Sequence, residues 1–77
     1  MAHFSRERRR FAERWVRGVI RDTRHDPEVD DDMRLVWAVT ALVADNGMCV
    51  TEADITAALA DPSVVQAARA ILAKVMR

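Results

Sequence analysis

The 77-residue sequence has few of the residues that build cross-links, phosphate-binding loops and metal sites. Its single cysteine, Cys49, excludes an intrachain disulfide and a zinc site made of several cysteines. With Gly18 and Gly47 as its only glycines, the chain cannot form a glycine-rich phosphate loop. Neither His3 nor His25 has a Cys, Asp or Glu at a spacing typical of metal sites. We therefore expect no metal and no cofactor.

The sequence also contains no recognisable set of catalytic residues. Cys49 lies between two apolar residues, which favours a buried, inert thiol over a nucleophile. Three consecutive aspartates, residues 30–32, project in different directions on a helix, so we expect them to supply charge at a helix N-terminus rather than to bind a cation. We expect a binding protein, not an enzyme, with no small-molecule substrate.

Long hydrophobic runs are absent as well. The most apolar stretch, residues 35–44, is about half as long as a helix that spans a bilayer. The basic N-terminus lacks the apolar stretch of a signal peptide, so we expect a cytoplasmic protein without membrane contact. The chain is 51% hydrophobic and 31% charged, which is ordinary for a folded protein, and its length fits one domain over residues 1–77.

Apolar residues recur at helical spacing throughout the chain, and no useful length alternates like a β-strand. The first helix is predicted to begin after a Ser5 cap and to end at about Arg24, shortly before a proline. The second is predicted to begin either at Asp26 or within residues 30–32, and to end at the Asn-Gly pair of residues 46–47.

Two shorter connections and two further helices follow. Thr51, with Asp54 three residues later, approximates a capping box and predicts a helix over residues 52–60. Asp61 followed by Pro62 is a cap-plus-proline signal for a fourth helix that runs to the C-terminus. The sequence therefore predicts an all-α, small four-helix domain. Because the second helix is apolar around most of its circumference, we expect the others to pack against it.

Two tryptophans are the largest side chains available for the core of so short a chain. Trp15 and Trp37 lie on helix faces continuous with aliphatic residues, so we expect both to be core residues, although tryptophan also anchors interfaces. We expect the third helix to bury Ile55 and Leu59, and the fourth to include Met76 in its apolar face. The apolar set predicted for the first helix is Phe4, Phe11, Ala12, Trp15, Val16, Val19 and Ile20.

The formal net charge is zero, but the charges are segregated along the chain. Residues 1–25 hold eight arginines and three acids, a net charge of +5. Residues 26–61 hold one arginine and nine acids, a net charge of −8, and residues 62–77 hold three basic residues and no acid. The order is therefore basic, acidic, then weakly basic.

Most of the basic charge lies on one edge of the first predicted helix. At about 100° per residue, six arginines fall within an arc of about 80° and extend for about 27 Å along the helix. We call this set the arginine stripe: Arg6, Arg10, Arg14, Arg17, Arg21 and Arg24. Like charges on neighbouring turns repel one another, so either solvent and salt screen the stripe or an anionic partner binds it.

Two kinds of anionic partner fit the arginine stripe. A nucleic-acid backbone offers a regular row of phosphates for the planar guanidinium groups. An acidic protein surface offers carboxylates, and one candidate is the chain's own acidic segment, residues 26–32, within one chain or in a homodimer. We favour a small regulator that binds nucleic acid; the alternative is an adaptor or inhibitor that docks on or masks a larger protein, and a weaker third class is a structural subunit of a helical assembly. The stripe is otherwise an ordinary solvated face.

The order of elements over residues 36–77 is similar to the three-helix core of helix-turn-helix proteins. This resemblance implies that the last helix is a recognition helix, whose outward face would carry small and basic residues but no acid. The chain departs from the usual pattern at Asp61 and Pro62, which replace the small or glycine turn residue, and its net charge is zero. The candidate recognition residues are Ser63, Gln66, Arg69, Lys74 and Arg77.

Overall fold

The computed structural model describes residues 4–44 and 50–77. These residues form four α-helices and no β-strand: α1 Arg6–Thr23, α2 Asp31–Val43, α3 Glu52–Leu59 and α4 Pro62–Val75. The predicted all-α, four-helix fold is confirmed. None of the helices in the described segments has the length and apolar character to cross a membrane. The expectations for His3, for the turn at residues 46–47 and for Cys49 lie outside the described residues.

Short side chains at the helix starts determine where α1 and α2 begin. The Ser5 hydroxyl accepts a hydrogen bond of 3.0 Å from the backbone N–H of Arg8, as predicted for the cap of α1. The Asp30 carboxylate accepts one of 2.9 Å from the backbone N–H of Met33, so the second of the two predicted starts of α2 is correct. The carboxylate of Asp26 instead accepts a local hydrogen bond in the α1–α2 connection.

The α3 helix begins with a complete capping box. The backbone N–H of Asp54 donates to the Thr51 hydroxyl, the backbone N–H of Thr51 donates to the Asp54 carboxylate, and each distance is 3.1 Å. Two backbone donors that an eight-residue helix cannot satisfy internally are therefore satisfied reciprocally.

Thr51→Ala should remove one half of this box and lower the stability of the protein by about 1 kcal/mol. In a chain of this size we expect the melting temperature to fall by about 4–8 °C. Thermal unfolding followed by circular dichroism measures the shift, and Thr51→Ser, which keeps the hydroxyl, is the control. An alanine variant that melts with the wild type would show that the box contributes no stability.

The α4 helix starts as the sequence predicts, with Asp61 as its cap and Pro62 at its first position. The hydroxyl and the backbone N–H of Ser63 donate to one Asp61 carboxylate oxygen at 2.8 and 3.0 Å. These two hydrogen bonds, that from the hydroxyl first, hold the pKa of Asp61 below its ordinary value. The ionised carboxylate is the form that caps α4.

The end of α2 differs from the prediction. The helix ends at Val43 and not at residues 46–47, because Ala44 has extended dihedral angles, with ψ at 125°. The Ala44 backbone N–H still donates to the Thr40 carbonyl at 2.8 Å and completes the last turn.

The core lies where α2 and α4 meet the other helices. The α2 helix contacts α1, α3 and α4, which confirms its predicted central position. Leu42, Val16 and Val39 are the largest fully buried side chains. Alanines complete the interior, which lets the helices approach one another closely. The buried residues are Ala12, Val16, Ala38, Val39, Ala41, Leu42, Ala58, Val64, Ala68 and Ile71.

Several large apolar side chains do not lie where the sequence predicts. Trp15 is 41% exposed and Phe11 is 44% exposed, so their predicted core positions are wrong. Each immediately precedes a neighbour in the core or follows it by three residues, and side chains one residue apart diverge by about 100° on a helix. Trp37 is half-buried and Met76 is exposed. On α3 the buried residue is Ala58, whereas Ile55 and Leu59 are half-buried.

Candidate anion-binding surface on α1

The arginine stripe lies on one unbroken helix. The α1 helix is continuous over 18 residues and contains the first five stripe arginines. Arg24 is its C-cap and retains helical dihedral angles, with φ at −62° and ψ at −20°. All six stripe arginines are exposed. The stripe is therefore a solvent-facing row of guanidinium groups, as its spacing predicts.

Two stripe arginines have carboxylate partners on their own helix. The Arg17 guanidinium lies 3.1 Å from a Glu13 carboxylate oxygen, and Arg21 Nε lies 3.6 Å from Asp22. The side chains of Arg17 and Arg21 remain 57% and 76% exposed. Exposed pairs of this kind contribute only about 0–1 kcal/mol, so an anionic ligand could compete for both arginines.

The other four stripe arginines have no carboxylate partner among the described residues. Arg24 Nε donates to Nε2 of the neighbouring His25 at 3.2 Å. Within residues 4–44 and 50–77, no hydrogen bond or ion pair engages the guanidinium groups of Arg6, Arg10 and Arg14. The N-terminal half of the stripe is thus the part most open to a ligand.

The acidic segment does not neutralise the stripe within one chain. Its five carboxylates are all exposed. Asp31 pairs with Arg34 at 2.9 Å on α2, and Asp26 and Asp30 accept backbone hydrogen bonds close by. Among the described residues, no ion pair joins this segment to the stripe. Of the two self-pairing arrangements, only the homodimer stays a prediction.

A cleft between α1 and α4 extends the cationic surface beyond the stripe. It has a volume of about 410 Å³ and its floor includes Ala67, Ala70 and Ile71. Four cations and one acid complete the lining: Arg6, Arg9, Arg10, Lys74 and Glu13. We call this feature the cationic cleft. The small alanine side chains leave room for an anionic group to approach the cations.

Glu13 connects the cleft to the stripe. One of its carboxylate oxygens lies 3.1 Å from Arg17 and the other lies 3.3 Å from Lys74 Nζ on α4. The Glu13 side chain is only 21% exposed. A single carboxylate therefore positions cations of two helices side by side, and these two pairs satisfy both of its oxygens.

Sequence reasoning missed Arg9 as a site residue. The periodicity of α1 places Arg9 about 60° outside the edge of the stripe, on the side that faces α4. Only the packing of α4 against α1 makes this position part of a cationic surface. No signal within α1 alone could have identified it.

The candidate recognition residues on α4 do not form one surface. Lys74 pairs with Glu13 and belongs to the cationic cleft, whereas Arg69 lines a separate cleft beside α2. Ser63 is half-buried, with its hydroxyl bonded to the Asp61 carboxylate. Gln66 and Arg77 are exposed. The helix-turn-helix-like arrangement stays a prediction.

Phe11 and Trp15 lie beside the stripe on the outer surface of α1. Arg10 and Arg14 immediately precede them, so each ring is about 100° around the helix from a stripe arginine. The Arg8 guanidinium carbon lies 5.7 Å from the centre of the Phe11 ring, within the range of a cation–π contact. We call the two rings the aromatic ledge. The exposed surface of α1 thus combines a cationic edge with an aromatic edge.

In the described segments, no group of three or more His, Cys, Asp or Glu side chains is arranged to hold a metal ion. The chemistry available on the described surface of α1 and α4 is that of guanidinium and ammonium groups, which donate hydrogen bonds and attract anions. The chain matches no known protein family, no curated protein and no solved structure.

Proposed function

We propose that this protein is a small, non-enzymatic cytoplasmic regulator that binds the phosphate backbone of nucleic acid through the arginine stripe. The observation that carries the proposal is the exposure of six aligned arginines on one continuous helix, three of them without any partner among the described residues. A guanidinium group donates two parallel hydrogen bonds to a phosphate, so each arginine can make one strong contact.

The dimensions of the stripe suit a nucleic-acid strand. Its length of about 27 Å corresponds to about eight phosphates of one duplex strand, measured along the duplex axis at about 3.4 Å each. Six arginines distributed over this length can contact most of those phosphates. Arg9 and Lys74 in the cationic cleft add two cations beside the N-terminal half of the stripe.

The segregation of charge supports a defined orientation on the ligand. The acidic segment is exposed and does not pair with the stripe. A polyanion would attract the stripe and repel the acidic segment, so the protein would bind with α1 toward the ligand. A net charge of zero therefore does not prevent local binding to a polyanion.

The alternative function is that of an adaptor or inhibitor that docks on an acidic protein surface. The exposed aromatic ledge is the observation that favours it, because tryptophan and arginine are enriched among the energetically dominant residues of protein interfaces. The two functions differ in their dependence on salt and on polymer length, since a row of phosphates releases one condensed counterion for nearly every contact.

The experiment is a titration of fluorescently labelled duplex and single-stranded oligonucleotides, followed by anisotropy over a series of salt concentrations. If all six stripe arginines contact phosphates, log K should fall against log salt with a slope of about −5 on duplex DNA and about −4 on a single strand. A protein that retards no DNA or RNA even at low salt would exclude nucleic acid as its ligand.

A further inference from the structure

We infer that the aromatic ledge is a base-stacking platform and that the preferred ligand is single-stranded nucleic acid. This inference rests on the proposed function and specifies its ligand. The rings of Phe11 and Trp15 are 44% and 41% exposed and lie one helical turn apart, separated by about 6 Å along the axis. The sequence has only four aromatic residues, so half of them are exposed at one place on α1.

The position of the ledge relative to the stripe separates a single strand from a duplex. In a duplex the bases stack on one another and only their edges reach the grooves, so ring faces on a helix surface have no base face to contact. An unpaired strand exposes its bases, and aromatic side chains stack on them without regard to sequence. Arg10 and Arg14 would hold phosphates on one edge of α1 while the bases lie over the adjacent rings.

The charges around the ledge favour this ligand over a second copy of the chain. Arg8 lies over the Phe11 ring on one side of the ledge, and stripe arginines flank its other side. A twofold contact places the same patch on both subunits, so a dimer through the ledge would bring two arginine-rich edges close together. The repulsion between them opposes that dimer, whereas a polyanion is attracted to the same cations.

The test compares alanine variants of the two rings on a short oligothymidylate and on a duplex of equal length. We expect Trp15→Ala and Phe11→Ala each to weaken binding to the single strand by about 5- to 150-fold, the range measured for loss of one stacked ring. Duplex affinity and its salt slope should stay unchanged, because the arginines remain. Trp15→Phe, which retains a ring, should restore most of the loss.

The control and the remaining readouts make the outcome decisive. Met33→Ala removes an exposed apolar side chain from α2 and should leave binding unchanged. Tryptophan fluorescence should be quenched when the wild type binds oligothymidylate and much less so in Trp15→Phe. Single-strand affinity that survives both ring truncations would overturn the stacking role while leaving the proposed function intact. A wild-type dimer that Trp15→Ala converts to a monomer in sedimentation would also overturn it, and a wild type that binds no nucleic acid would refute both.

Discussion

Replacing Arg6, Arg10 and Arg14 together by alanine is expected to weaken nucleic-acid binding by about two to three orders of magnitude at about 0.1 M salt. Each phosphate contact releases about 0.9 counterion, and each released counterion is worth roughly a factor of ten at that salt concentration. These three arginines have no partner among the described residues, so their loss should not disturb the fold. Anisotropy titration of wild type and variant on the same labelled oligonucleotide measures the effect.

A second triple variant provides the matched control for charge. Arg69, Lys74 and Arg77 are the basic residues of α4 and its C-terminal end, so their replacement by alanine removes the same three positive charges. Because only Lys74 lies beside α1, we expect a loss of about tenfold, from one contact. If the α4 variant loses more affinity than the α1 variant, the ligand is bound by the candidate recognition helix and not by the stripe.

Leu42→Ala is expected to lower the free energy of unfolding by about 2–5 kcal/mol. Leu42 is one of the largest fully buried side chains and lies on the helix that contacts all three others. A chain of 77 residues has a total stability of about 4–12 kcal/mol, so this single truncation removes a large share of it. Denaturation by urea, monitored by circular dichroism, measures the change in midpoint.

Leu59→Ala is the control for this core truncation. Leu59 is the same residue type but is half-buried on α3, so it leaves a smaller cavity and part of its surface is already hydrated. We expect its effect to be less than half that of Leu42→Ala. Equal midpoints for the two variants would contradict the central position of α2 in the core.

The helix starts were predictable because their signals are local. Ser5, Asp30, Thr51 and Asp61 each accept a hydrogen bond from a backbone N–H two or three residues later, and such caps depend only on neighbouring residues. The end of α2 was not, because Ala44 carries no stop signal of its own and adopts an extended conformation.

The burial of individual side chains was less predictable than the helices. The apolar set of α1 spans about half of its circumference, which is wider than the face that its neighbours cover. Ala12 and Val16 are fully buried, so the smaller residues lie at the contact and the larger rings of Phe11 and Trp15 lie outside it. Sequence pattern ranks residues by hydrophobicity, but packing at this contact selects them by direction.

The candidate site divides in the same way. The arginine stripe follows from helical spacing alone, and its six members are exposed as that spacing requires. The cationic cleft depends on tertiary packing, because Arg9 and Lys74 are 65 positions apart in the chain and meet only where α4 lies against α1. The pairing of Glu13 with Lys74 likewise required the relative placement of two helices.

The difference in salt slope between wild type and the Arg6, Arg10 and Arg14 triple alanine variant tests the central claim most directly. If these guanidinium groups contact phosphates on a duplex, the plot of log K against log salt should be shallower by about 3 in the variant. Parallel plots for the two proteins would show that the exposed row of arginines on α1 does not contact the backbone.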